Sequence, residues 1–227
     1  MSAKSFILVS GGSGGIGSAL CRLLPARGYV PIVGYRKNRA KAERVALETG
    51  GFALLLDMDN DKAIELALAV LATKLSSDDN LSGIVLAASA PPDLVPFGKL
   101  TAEMINNQIR TNVIGPQLLL TGLIKNFFRK TKSGVVLAVL TDAMAGDSKV
   151  AASGMGAYII AKTAMRGMLD VCAAENTWLK VRSFSPSFTK TDMLKVFDDR
   201  YLEMVEAKKS FASPEEVAEL ILEEMLR

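Results

Sequence analysis

Tyr158-Ile159-Ile160-Ala161-Lys162 places a phenol and an ammonium at positions i and i+4, so on a helix both project from one face. A free phenol titrates near ~10, too high to trade protons at neutral pH. A cation beside it favours the phenolate and lowers that value, at ~1.36 kcal/mol of differential interaction per unit. Such a pair can protonate a carbonyl oxygen or take the proton of an alcohol. In isolation the spacing is commonplace, because a surface tyrosine beside a solvated lysine looks the same. Position separates the two readings, since the pair follows directly on the fifth apolar run and its loop.

A second feature lies near the start. Phe6-Ile7-Leu8-Val9-Ser10 runs into Gly11-Gly12-Ser13-Gly14-Gly15-Ile16-Gly17 and then into Ser18-Ala19-Leu20-Cys21-Arg22. An apolar strand, a glycine-rich turn and an amphipathic helix in this order form a site for a pyrophosphate. Unpaired N–H groups and the helix dipole point at the anion, and glycine lets its oxygens approach the backbone.

The elements that must hold these groups are legible as an alternation. Apolar runs at 6–10, 30–35, 52–57, 82–88, 134–141 and 179–185 are separated by helical patterns near 16–27, 38–49, 60–76, 101–130 and 156–176. The runs lack the alternation of a half-wetted strand, which fits parallel strands covered on both faces. Right-handed crossovers then build one α/β domain over 1–227, a Rossmann-type doubly wound parallel sheet of about six strands. Ser213-Pro214-Glu215-Glu216 opens a last helix with a capping box.

Composition removes several classes of function. Histidine is absent and the two cysteines, Cys21 and Cys172, lie apart in helical stretches, so neither a zinc site nor a Ser-His-Asp triad can be assembled. The formal charge of +3 is small, and the bases are scattered apart from clusters at 36–44 and 125–132, which argues against a nucleic-acid partner. No apolar run approaches the ~20 residues that span a bilayer, and the first strand leaves no room for a signal peptide. The expectation is a cytoplasmic protein with no membrane partner.

Taken together the motifs resemble those of the short-chain dehydrogenase/reductase family, from Lys4 to about Met193. Ser10-Gly11 through Gly15-Ile16-Gly17 is similar to the family's Thr-Gly-x-x-x-Gly-x-Gly turn, with serine in the threonine place. Asn112 sits where the family keeps a helical active-site asparagine, and Tyr158 and Lys162 match its Tyr-x-x-x-Lys pair. Pro186-Ser187-Phe188-Thr189-Lys190-Thr191 resembles the segment that meets the nicotinamide. The resemblance implies that Tyr158 is the general acid and that Lys162 lowers its pKa and binds the nicotinamide ribose. Asn112 would anchor a water that links Lys162 to solvent, and Thr191 would hold the carboxamide. Ser10, Gly11, Ser13, Gly15, Ile16, Gly17, Asp57, Met58, Ala87, Ala88, Pro186 and Phe188 would complete the cofactor contacts.

Three departures stand out. The family's active-site serine is missing, and Thr141, at the end of the fifth strand, is the nearest hydroxyl by register, with Ser148 and Ser153 as alternatives. The family's Asn-Asn-Ala-Gly reads Ala87-Ala88-Ser89-Ala90 here. No strand follows the last helix, which favours a homodimer through 101–130 and 156–176 over a tetramer.

The second strand ends Tyr35-Arg36-Lys37-Asn38-Arg39, with no acid in the segment. NAD-binding folds usually offer an acid there to the ribose 2′-hydroxyl. Bases instead of an acid suit the 2′-phosphate of NADP(H), with Arg36 placed for bidentate pairing and Tyr35 and Lys37 beside it. The loops at 89–100, 142–157 and 188–209 should wall a mostly apolar substrate cavity for an uncharged ketone or acyl-type carbonyl. Lys149, Lys190 and Lys195 are the bases that could meet an anionic group. The reading is an NADP(H)-dependent carbonyl reductase acting on a small molecule. The rivals are an NAD-linked alcohol dehydrogenase and a non-catalytic nicotinamide-binding sensor.

Overall fold

A computed structural model describes residues 3–146 and 149–227. Six strands form a single parallel sheet in the order β3-β2-β1-β4-β5-β6. They are β1 (Ser5–Ser10), β2 (Tyr29–Tyr35), β3 (Phe52–Leu55), β4 (Asn80–Leu86), β5 (Val135–Val139) and β6 (Lys180–Phe184). Helices α1 (Gly15–Leu23), α2 (Arg39–Thr49) and α9 (Pro214–Leu226) cover one face. Helices α3 (Asp61–Lys74), α4 (Ala102–Ile109), α5 (Gly115–Leu123), α6 (Arg129–Thr131) and α7 (Gly156–Glu175) lie on the other, and α8 (Asp199–Glu206) belongs to the loop that follows β6.

The sheet sorts its own side chains because successive residues of a strand point to opposite faces. Phe6 and Leu8 join the core beneath α3, α5 and α7, while Ile7 and Val9 join the core beneath α1, α2 and α9. Both faces are dry, which is why the runs read as continuously apolar. Strand order reverses direction around β1 and β4, and the open crevice of such a sheet lies at the carboxyl ends flanking that switch point.

Several boundaries differ from the sequence reading. The stretch 101–130 is not one regular helix: π turns at Arg110–Ile114 and Ile124–Phe128 interrupt it. The run at 82–88 pairs only through Leu86, because the amides of Ala87 and Ala88 bond the Ser10 hydroxyl instead of a strand. The 188–209 stretch, read from the sequence as a loop, contains helix α8. Asp198 starts it by accepting from the N–H groups of Arg200 and Tyr201. The capping box at Ser213 and Glu216 forms as the sequence indicates.

Candidate active site

The glycine turn follows from steric necessity. Gly11 adopts φ 68°, and a Cβ there would lie 2.9 Å from the backbone N and Cα of Ala88. A Cβ on Gly17 would lie 2.3 Å from the carbonyl oxygen of Gly11, so α1 begins only where the turn is bare of side chains. Gly11, Ser13, Gly15, Ile16 and Gly17 line a cleft together with Arg36, Lys37, Met58, Ala87, Ala88 and Thr191. Backbone N–H groups at the N-terminus of α1 give this cleft its affinity for anions. Carbon added at Gly11 or Gly17 would collide with the backbone that closes the turn, so the turn keeps its shape only with glycine there.

Three expected cofactor contacts take other places. Ser10 is 1% exposed, and its hydroxyl accepts from the N–H groups of Ala87 and Ala88 at 3.1 and 3.2 Å. It fastens the end of β1 to the end of β4 rather than facing the cleft. Asp57 accepts from the Asp59 N–H at 3.0 Å, and the Tyr35 side chain packs against the core under α1 and α2. Neither lines the cleft. The segment 35–39 itself holds no acid, but one reaches it from elsewhere in the chain: Arg36 Nη1 pairs with Asp59 Oδ2 at 2.6 Å. Asp59 reaches it from the connection between β3 and α3, which β2–β3 pairing brings alongside.

At the other end of the cleft, α7 buries both members of the tyrosine–lysine pair, Tyr158 at 7% exposure and Lys162 at 2%. Lys162 Nζ donates to the carbonyl of Val139 at 2.8 Å and lies 5.7 Å from the centre of the Tyr158 ring. Burial pushes the Tyr158 phenol up to about 12, with the Asp142 charge adding to it, while hydrogen bonds with the Thr141 and Ser89 side chains act in the opposite sense. Burial also draws Lys162 down to about 7. Lys162 is not among the groups that lower the Tyr158 phenol. Desolvation disfavours both charged forms at once, and hydroxyls are what oppose it at the phenol.

Thr141 Oγ1 accepts from the Ala143 N–H at 3.2 Å, and the side chain lines the cavity beside Tyr158. Ser153 is exposed, and Ser148 lies outside the described residues. Asn112 is fully buried in the first π turn. Its Nδ2 donates to the backbone and side-chain oxygens of Gln108 at 3.0 Å each, and its Oδ1 accepts from Ser89 Oγ at 2.8 Å. Ser89 was not singled out from the sequence, although the altered Ala87-Ala88-Ser89-Ala90 segment contained the signal. Its hydroxyl bonds the asparagine and lies close enough to the tyrosine to act on the phenol's pKa.

A second cavity opens from this point. It is lined by Thr141, Tyr158, Lys162, Pro186 and Phe188, and it shares Ile16, Ala87, Ser89, Thr191 and Met193 with the first cleft. Pro92, Met155, Leu194 and Phe197 make the remainder largely apolar. The Phe188 ring packs against Phe197 at 5.5 Å and Phe211 at 5.2 Å, fixing the segment after β6 as a wall. The Val95 N–H donates to Gly154 O at 3.0 Å and joins the other two loops. The three lysines offered for an anionic group each face an acid: Lys149 faces Asp142, Lys190 faces Glu206 and Lys195 faces Asp192. Among the described residues no group of histidine, cysteine, aspartate and glutamate could hold a metal, and no helix is long and apolar enough to cross a membrane.

The family model for short chain dehydrogenase matches residues 5–201. The chain is 25% identical over 234 residues to an acetoacetyl-CoA reductase of Acinetobacter sp. (strain RA3849), covering 98% of this chain and 90% of that one. It is 26% identical over 197 residues to a 3-oxoacyl-[acyl-carrier-protein] reductase of Bos taurus, covering 86% and 79%. A solved 3-ketoacyl-(acyl-carrier-protein) reductase from Brucella melitensis, complexed with NADH, superposes with a TM-score of 0.81 at 20% identity, covering 96% of this chain and 89% of that one. The protein belongs to the short-chain dehydrogenase/reductase family and is an oxidoreductase of that family, which binds a nicotinamide cofactor.

Proposed function

We propose that this enzyme reduces the ketone of a 3-oxoacyl thioester or a similar uncharged carbonyl, using NADPH. The observation that carries the reading is the meeting of the two cavities at Ser89 and Thr191, beside which a phenol, two hydroxyls and a buried lysine surround one spot. The glycine turn would hold the pyrophosphate, and Thr191 and Lys162 would hold the nicotinamide end. Bound there, the reduced cofactor supplies the hydride. Thr141 donates a hydrogen bond to the carbonyl oxygen and polarises it, as an oxyanion donor does. Tyr158 gives its proton to the same oxygen as negative charge develops. Lys162, once cationic, stabilises the phenolate left behind. Asn112 acts from behind this group, oriented by Gln108 and linked to it through Ser89.

The apolar lining favours an acyl chain over a sugar, and the names of the two reductase relatives point the same way. Arg36 and Lys37 in the adenosine end of the cleft support NADP(H). A specific observation favours an NAD-linked alternative: Asp59 partly neutralises Arg36. A homodimer through 101–130 and α7 fits the exposed Ile114, Ile160 and Val171 on those helices, and a cytoplasmic site completes the reading. The test is oxidation of NADPH, then NADH, with acetoacetyl-CoA, against Tyr158→Phe as control. Turnover that prefers NADPH and disappears in the variant is expected, and equal turnover of wild type and variant would end the proposal. Light scattering on the same sample decides the dimer.

A further inference from the structure

Arg36, at the adenosine end of the cleft, pairs with Asp59. Asp59 is held on two sides: one carboxylate oxygen receives Arg36 Nη1 at 2.6 Å, and the other accepts from the Thr111 hydroxyl. Its backbone is tied as well, with its N–H on Asp57 Oδ1 at 3.0 Å and its carbonyl on Arg110 Nε at 3.4 Å. The carboxylate thus joins the end of β2, the β3–α3 connection and the π turn that carries Asn112. Arg36, Lys37, Asn38 and Thr111 all line the cleft. Arg36 and Asp59 are 42% and 37% exposed, with Asp59 behind the lining and Arg36 in it.

We propose that Asp59 is a selectivity residue: it restrains Arg36 and so weakens the hold of the adenosine end on a 2′-phosphate. This inference rests on reading the cleft as the dinucleotide site. A guanidinium offers five N–H donors, so one edge can remain on a carboxylate while another meets a phosphate. A fixed anion beside a second anion is repelled by it, and it also cancels part of the charge that attracts it. The cost falls on the 2′-phosphate alone, because a ribose hydroxyl carries no charge. Thr111 keeps the carboxylate from swinging away when the phosphate arrives. The arrangement therefore lowers discrimination between the phosphorylated and unphosphorylated cofactors without touching the pyrophosphate or nicotinamide contacts.

The experiment is titration calorimetry of the full chain with 2′,5′-ADP and with 5′-AMP as probes, so that no catalytic substrate is needed. Asp59→Asn is expected to bind 2′,5′-ADP about two- to fivefold tighter than wild type, in the range of a part-exposed ion pair. Affinity for 5′-AMP is expected to stay unchanged. The gain should shrink at high salt, as partly exposed charges are screened. In an Arg36→Gln background the same substitution should produce no gain, because the restrained group is gone. Asp59→Ser, which keeps a short polar group facing Thr111, is the second variant should the asparagine destabilise the loop. Unchanged or weaker 2′,5′-ADP binding in a folded variant overturns the proposal and makes Asp59 a support for Arg36. Wild type that binds neither probe overturns it together with the dinucleotide reading. Wild type that binds both probes, with no gain in either variant, overturns the selectivity role alone.

Discussion

The two halves of the site are built in opposite ways. The cofactor half is backbone: Gly11 and Gly17 leave no room for a Cβ, and its polar contacts are N–H groups of a turn and a helix start. The substrate half is side chains: Phe188, Phe197, Phe211 and Met193 on a segment tied back by bonds between Lys190 and Ala212 and between Ala212 and Phe188. A backbone site tolerates almost no change of residue, whereas an apolar wall can be rebuilt with other hydrophobes of similar volume. Recognition of the shared cofactor is written into the first half and choice of substrate into the second. The reacting group lies on their seam, where Ser89 and Thr191 line both cavities.

Changes at the seam should have the largest effects. Tyr158→Phe is expected to lower kcat by ~10²–10⁴, the range for losing a general acid, with cofactor affinity by fluorescence titration unchanged. A loss of affinity instead would mean that the tyrosine belongs to the backbone half. Thr141→Ala should cost ~10–10³ in kcat, as removal of one oxyanion donor does, and an unaltered rate in steady-state assays would remove Thr141 from the chemistry. Within the cofactor half, Gly17→Ala forces carbon against the Gly11 carbonyl and should destabilise the fold by ~1–3 kcal/mol in urea denaturation. Cofactor binding should fall with it, whereas Phe188→Leu on the apolar wall should alter KM and leave cofactor binding intact.

The smallest effect is one of pH. Lys162 titrates at about 7 in the folded protein against 10.5 when free, so between those values the unfolded chain binds more protons. Stability should therefore rise with pH across that window, and below about 7 the full cost of burying the cation is present. Tyr158 acts in the reverse sense, but only between 10 and about 12. Denaturant midpoints compared near pH ~7 and ~9 should show the rise in wild type and its loss in Lys162→Met. A flat wild-type profile would mean that Lys162 is not desolvated.

Much of this was legible in the sequence, for identifiable reasons. Strand positions and sheet class could be read because both faces of the central strands meet a covered core, and because crossovers have one hand. The glycine turn and the tyrosine–lysine pair could be read because each is local in the chain. The partner of Arg36 could not. Asp59 lies 23 residues away, and only the pairing of β2 with β3 makes them neighbours. The hydroxyl of Ser89 was hidden for the same reason: its partners Asn112 and Tyr158 come from two separate helices. Burial was the other blind spot. Spacing placed Lys162 near Tyr158 but gave no sign that desolvation would oppose the charge on both.

The π turn at Arg110–Ile114 has a consequence for how this fold can change in length. It carries one residue more than an α-helical path of the same rise, and each α-helical residue turns the chain by about 100°. Removing that residue would close the bulge into plain α-helix and leave α4 and α5 in phase. Gln108 would keep its bond to Pro91, and Leu119 and Leu120 their places in the core. The bulge thus confines a change of chain length to the turn that carries the asparagine.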